Sequence, residues 1–331
     1  MNKPTTGTEI IKEYLKRFPE SPKLTLAKKI YKENSKVFLN IENIRRIINY
    51  QKGSAGTLNR KKLTDKQFAK PLTYNYNPFD LPESKTVSRE TWKLPKSIKK
   101  VLLLSDIHFP YQDNEALTTA LNYGLKQNVD AIFLNGDILD FYQLSFHEKD
   151  PRLTSIADEL ESCRKFFGVL RKKFPKAMIY YIPGNHEARL ERYLRVKAPE
   201  LLDVSEFRLD VLLKVAEYKI EYLQHGTKCY FGKLLVEHGD KMKGSGGINP
   251  SRSLYLKMKR DAICGHFHRT TNTTERVYDD SFIFTYSLGC LCELEPSYME
   301  VNNWNHGFAL VEMDGDNFTV NNKKIFNKKV Y

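Results

Sequence analysis

Residues 101–108 read Val-Leu-Leu-Leu-Ser-Asp-Ile-His, an apolar run that passes directly into a carboxylate and an imidazole. A run this short is consistent with a strand buried on both faces. Polar residues just past the carboxyl end of such a strand stand where open α/β sheets hold their ligands. The same construction recurs downstream. Ala131–Leu134 precedes Gly136-Asp137-Ile-Leu-Asp140, and Met178–Ile182 precedes Gly184-Asn185-His186-Glu187. Leu234–Glu237 then leads to His238, and Ala262–Cys264 leads to Gly265-His266-Phe-His268.

Between the first three runs, amphipathic stretches near Asn114–Lys126 and Ser155–Lys172 read as helices, so strand and helix alternate as in an α/β sheet. The later runs Phe282–Tyr286 and Phe308–Met313 suggest a second sheet, and the Asn/Lys-rich end near Asn321–Lys329 reads as a surface strand or a frayed tail. Upstream, Thr8 to Lys52 carries three helical patterns, with Ile10, Ile11, Tyr14 and Leu15 on one face, a second pattern over Leu24–Tyr31 and a third over Ile41–Tyr50. Basic positions there, including Arg45, Arg46 and Lys52, fit a helix-turn-helix-like module able to meet DNA, or an adaptor module of the same size. Gly53 to Ser97 shifts to Gly, Ser, Lys, Asn and Pro, with Arg60-Lys61-Lys62, and reads as a linker. The expected domains are 1–52, a linker over 53–97, and a catalytic domain over 98–331.

Composition sets the outer limits. The 331 residues are 41% hydrophobic and 28% charged, which is ordinary for globular proteins and excludes wholesale disorder or a fibrous chain. The apolar runs fall well short of a spanning helix, and the N-terminus has no apolar signal core, so no membrane partner and a cytoplasmic location are expected. Five scattered cysteines, with no CxxC pair, read as reduced thiols. A net charge of +13 favours polyanionic partners, nucleic acid among them.

The recurring strand-end residues carry the chemistry. Asp, His and Asn offer hard oxygen and borderline nitrogen donors suited to Mn²⁺, Fe²⁺ or Zn²⁺, with Mn²⁺ preferred here. Six or seven such donors imply two ions. A carboxylate between two cations offsets their repulsion, and a pair about 3.5–4 Å apart acidifies a shared water and stabilises both oxygens of an in-line displacement at phosphorus.

The segments SDIHFP, NGDILD, PGNHE, EHGD and CGHFH resemble those of the calcineurin-like metallophosphoesterases over about Lys100 to Val320. The resemblance implies a two-sheet α/β/β/α sandwich. It also implies that Asp106, His108 and His268 hold one ion, that Asn185, His238 and His266 hold the other, and that Asp137 bridges them. His186 matches the family histidine that assists the leaving oxygen, and Asp140 orients a histidine from behind. Asp140 is followed by Phe141 and Tyr142 rather than by Arg-Gly, which argues against a Ser/Thr protein phosphatase. Arg189, and Arg252 at the end of the glycine-rich Gly244–Arg252 loop, are candidate phosphate contacts, each with an ordinary surface role as the alternative. Together with Asn302–Phe308 and the N-terminal helices, the arrangement is similar to phosphoesterases carried by bacteriophages.

His147, His225 and His306 are read as structural, and Tyr142, Phe146 and Trp304 as packing residues before base-stacking ones. The expected function is two-metal hydrolysis of a phosphate ester in nucleic acid, by a nuclease or an end-phosphatase. The alternatives are a phosphomonoesterase or cyclic-nucleotide phosphodiesterase for small molecules or phosphoproteins, and a nucleic-acid-binding protein on an inactive phosphoesterase scaffold. Oligomeric state is left open.

Overall fold

The computed structural model describes residues 6–52, 77, 79–86, 88–146, 149–150, 152–242, 248–296, 299 and 301–331. The chain divides into two units between Lys85 and Thr86.

In the first unit, α1 (Gly7–Arg17), α2 (Lys23–Glu33) and α3 (Ile41–Lys52) close on a core of their own. Helical spacing brings Ile11 and Leu15, Leu26, Ala27 and Ile30, and Ile44 and Ile48 into one core, which Phe38 from the segment between α2 and α3 joins. Of the basic residues singled out on α3, Arg45 pairs with Glu42 at 3.2 Å and Lys52 donates to the Pro19 carbonyl, whereas Arg46 is exposed. Most of the expected linker, including Arg60–Lys62, lies outside the described residues.

The second unit contains two sheets. The first runs in the order β13-β12-β11-β2-β3-β4-β5. Its parallel centre is β2 (Lys100–Leu104), β3 (Ala131–Asn135), β4 (Met178–Ile182) and β5 (Ile220–Tyr222). Its other side is antiparallel: β11 (Gly307–Asp314), β12 (Asn317–Phe326) and β13 (Lys329–Val330). The second sheet has the order β1-β6-β7-β8-β10-β9. It comprises β1 (Thr91–Lys93), β6 (Lys228–Phe231), β7 (Leu234–Glu237), β8 (Ala262–Cys264), β9 (Thr271–Arg276) and β10 (Phe282–Ser287).

The period-two geometry of a strand explains why Val101–Leu104 is apolar throughout. Leu102 and Leu104 face a core shared with Leu117, Phe166, Phe167 and Leu170 of the helices Asn114–Gln127 and Ile156–Lys173. Val101 and Leu103 face the other way and meet Cys229, Phe231, Val236 and Ile263 of the second sheet. The helix Pro250–Met258 covers the outer face of that sheet through Leu254, packed near Leu235, Ala262 and Cys264. The layers are therefore helix, sheet, sheet, helix, the α/β/β/α sandwich that the motifs implied. Both long helices begin where a side chain caps them: Asp113 accepts from the amide of Ala116, and Ser155 and Asp158 form a reciprocal capping box.

Two sequence readings need correction. Phe308–Met313 was expected in the second sheet, yet β11 pairs antiparallel with β2, placing Val311 opposite Val101 and Leu310 opposite Leu102. A strand buried on both faces belongs in the middle of the sandwich, and the apolar run alone cannot say which sheet takes it. The linker was expected to reach Ser97, but Thr91–Lys93 joins the second sheet parallel to β6, and Leu94 and Ile98 are buried between the sheets. Of the two readings of the Asn321–Lys329 end, the surface strand holds, since Asn317–Phe326 forms a hairpin with β11.

Candidate metal centre

The loops after β2, β3 and β4 and those after β7 and β8 meet at one edge of the sandwich, which brings the strand-end residues together. Close approach is built into the backbone. A Cβ on Gly184 would collide with the side chains of Asp137 and His238, and one on Gly265 would collide with Ser105 and Asp106. Asp106, His108, Asp137, His266 and His268 all adopt positive φ, from 51° to 70°. Side chains with a Cβ rarely sit there, and such strain gathers at functional sites.

His108, His238 and His268 are each oriented by one ring nitrogen and direct the other inward. His108 Nδ1 lies 2.9 Å from Asp140 Oδ1, and its Nε2 faces His268 Nε2 at 3.2 Å. His268 Nε2 is also 3.3 Å from Asp106 Oδ1. His238 Nδ1 lies 2.8 Å from the Asn135 carbonyl, leaving its Nε2 3.0 Å from Asp137 Oδ2 and 3.1 Å from Asn185 Oδ1. An imidazole that gives its Nδ1 proton to an oxygen presents a lone pair at Nε2. Nε2 of His108, Nε2 of His268 and Oδ1 of Asp106 converge in one place, and Nε2 of His238, Oδ1 of Asn185 and Oδ2 of Asp137 in another. Acceptors facing acceptors repel unless a cation lies between them, so the donor set fits divalent ions. His266 completes a group with Asp137 and His238 whose ligand atoms lie within 4.8 Å of one another. Its amide is held separately by Asp106, at 3.1 and 3.0 Å to the two carboxylate oxygens.

The electrostatics point the same way. Burial works against ionising Asp106, but His268 outweighs it and lowers the carboxyl pKa to about 2. Asp137 is held well below the carboxylate range because His238 and His186 overcome its burial.

Asp140 lies behind the cluster and contacts two imidazoles. Besides His108, its Oδ1 lies 3.1 Å and its carbonyl 2.8 Å from His186 Nδ1. Arg189 joins this group, donating to the Asp140 carbonyl at 2.8 Å and placing its other guanidinium nitrogen 3.0 Å from His186 Nε2. Arg252 is engaged elsewhere: its guanidinium is bound to Glu275 on β9 at 2.6 Å. The start of its glycine-rich loop, 243–247, lies outside the described residues, as does His147. His306 bonds to the Cys292 carbonyl, and the Tyr142 hydroxyl accepts from the Asp150 amide. Phe146 is exposed beneath the Arg192 guanidinium, and Trp304 packs on the His268 ring with centroids 4.1 Å apart.

Sequence reasoning assigned no role to Glu187. Its buried carboxylate accepts from the amides of Asp137, Ile138, Leu139 and Gly184 and from the Tyr181 hydroxyl, at 2.7–3.0 Å. It joins the Gly-Asp loop to the Gly-Asn-His loop. The only sequence signal was its place directly after His186.

Fold and donor set define a metal-dependent hydrolase of phosphate esters. The calcineurin-like phosphoesterase family matches residues 99–280, and the chain belongs to that family. Among its relatives are the Gene 54 proteins of two mycobacteriophages. That of phage L5 is 26% identical over 66% of this chain and 90% of its own length. That of phage D29 is 23% identical over the same shares. Similar solved structures include a Vps29 single mutant from Entamoeba histolytica, at 14% identity and a TM-score of 0.39 over 70% of this chain and 96% of that one. A dimetal phosphatase from Danio rerio matches at 10% identity and a TM-score of 0.34 over 68% and 96%. Among the described residues, no helix is long and apolar enough to cross a membrane.

Proposed function

We propose that this protein hydrolyses phosphate esters of nucleic acid with two divalent ions, Mn²⁺ by preference. In this reading Asp106, His108 and His268 hold one ion, Asn185, His238 and His266 hold the other, and Asp137 is shared. The convergence of the His108, His238 and His268 ring nitrogens on the buried Asp106 and Asp137 carboxylates supports it most strongly, a donor set suited to divalent ions. When bound, the ions supply an acidified water and positive charge for the phosphoryl oxygens.

The chain's own residues do the rest. Asp140 fixes His108 and His186 through their Nδ1 atoms. His186, raised in pKa by Asp137 and Asp140 against the effect of burial, delivers a proton to the departing ester oxygen from Nε2. Arg189, beside that nitrogen, stabilises charge on the phosphoryl group.

The nucleic-acid assignment draws on the net charge of +13 and on the three-helix unit at residues 7–52, which is the proposed binding module. The catalytic domain is proposed to begin near Thr86, where the second unit starts. A panel of bis-p-nitrophenyl phosphate, p-nitrophenyl phosphate and labelled single- and double-stranded DNA tests the substrate class, with Asp137→Asn as control. Diester and DNA cleavage lost in the mutant supports this reading. Turnover of the monoester alone redirects it to a phosphatase of small molecules or phosphoproteins.

A further inference from the structure

On the side of the His268 ring away from Asp106 lies a sulfur atom. Cys292 Sγ is 3.8 Å from His268 Nδ1, while Nε2 of the same ring faces Asp106 and His108. The outer nitrogens of His108, His186 and His238 all meet oxygen, from Asp140 or Asn135. His268 differs from them in meeting sulfur, Cys292 at Nδ1 with the buried Cys290 thiol also interacting with the ring.

The thiol is held firmly. Cys292 is 3% exposed, and its carbonyl accepts from His306 Nε2 at 2.9 Å. On either side of it, the Leu291 amide donates to the Asp106 carbonyl and the Glu293 amide to the Tyr111 carbonyl, both at 2.9 Å. The segment is thus stitched to the loop that carries Asp106 and His108. Trp304 packs against the ring with centroids 4.1 Å apart, which leaves the imidazole few orientations.

We propose that Cys292 is the positioning residue for His268, so that one of the two metal positions is held through an imidazole whose outer partner is sulfur. Such outer partners fix the tautomer and orientation of a ligating histidine, and losing one costs about 10–100-fold in metal affinity. A thiol is a longer and weaker acceptor than a carboxylate, so this position is the weaker and more exchangeable of the two. The inference rests on the reading of His268 as a ligand.

Calorimetric titration of the full chain with Mn²⁺ tests it on the wild type, Cys292→Val, Cys292→Ser and His268→Ala. Cys292→Val stays apolar, adds about one carbon of bulk and removes the Cys292 acceptor while leaving Cys290 in place; it should weaken one of the two binding events by about 10–100-fold and leave the other unchanged. Cys292→Ser, whose hydroxyl restores an acceptor, should fall between Cys292→Val and the wild type. Cys292→Ala takes the place of Cys292→Val if the valine cannot be packed. Two wild-type affinities in Cys292→Val overturn the proposal. So does a sulfur-to-metal charge-transfer band in the Co²⁺-loaded wild type, since Cys292 is then itself a ligand. If His268→Ala loses an ion while Cys292→Val does not, only the positioning role fails. If His268→Ala binds two ions like the wild type, the ligand assignment fails with it.

Discussion

His238 Nε2 lies 3.0 Å from Asp137 Oδ2, and the ring's other nitrogen is already committed to the Asn135 carbonyl. Without a metal, only a second proton on the imidazole relieves this contact. Burial opposes that proton, but Asp137 outweighs it and pushes the His238 pKa up to about 10. His268 is likewise raised to about 10, with Cys290 and Asp106 overcoming burial. Both rings therefore stay protonated from below their ordinary value up to about 10 in the metal-free protein, and must release those protons to bind ions. Metal affinity should rise with pH over this interval. Near neutral pH, Mn²⁺ binding should release roughly one to two protons, measured by calorimetry in buffers of different protonation heat. Binding with no proton release would contradict this geometry.

Glu187→Gln tests the brace between the two catalytic loops. The amide keeps the side chain's size but has one acceptor oxygen and turns an NH₂ group toward buried amides. Unpaired buried groups of this kind cost about 1–3 kcal/mol each. A loss of about 2–3 kcal/mol should lower the Tm by about 4–12 °C. An unchanged Tm would mean that the loops hold their shape without it.

Glu159 is fully buried, and its carboxylate accepts from the amides of Phe141 and Tyr142, just after Asp140. Burial, and then Asp140, raise its pKa from 4.5 to about 8. A group that keeps its proton longer when folded contributes stability fully below its ordinary pKa and loses it as pH rises through the folded one. The wild-type Tm should therefore fall, relative to Glu159→Gln, between pH 4.5 and about 8. Parallel melting curves across that interval would count against this account.

Arg189 approaches His186 Nε2 at 3.0 Å and lowers its proton affinity, against the pull of Asp137 and Asp140. In Arg189→Met the alkaline limb of the kcat/KM profile should move to higher pH, because His186 keeps its proton longer. Its maximum should drop as phosphoryl charge loses a partner, by roughly 10–100-fold for a charge-assisted contact worth about 1.5–3 kcal/mol. A profile that merely scales down without moving would separate Arg189 from the titration of His186.

Much of this was legible in the sequence, because each donor follows an apolar strand and the strand ends share one edge. Val101–Leu104 before Asp106 is the clearest case. What could not be read was set by contacts distant in sequence. The sheet that takes Phe308–Met313 depends on its pairing with β2, about 200 residues earlier. The run Thr91–Lys93 is too short and too polar to stand out from a linker until β6 pairs with it. Glu187 closes the PGNHE segment with nothing to mark its role, and Cys292 carries no motif, since their roles come from backbone amides and from a ring that only the folded chain brings near. Arg252 looked available as a phosphate contact because its partner, Glu275, lies on a different element, the strand β9.

The most direct test of the central claim measures Mn²⁺ bound per chain and bis-p-nitrophenyl phosphate hydrolysis together, in the wild type, Asp137→Asn and His186→Ala. A shared Asp137 predicts that its mutant loses both bound ions and activity, while His186→Ala keeps two ions and loses roughly 10²–10⁴-fold in turnover. Full turnover in metal-replete His186→Ala, or in Asp137→Asn after exhaustive chelation, would contradict it.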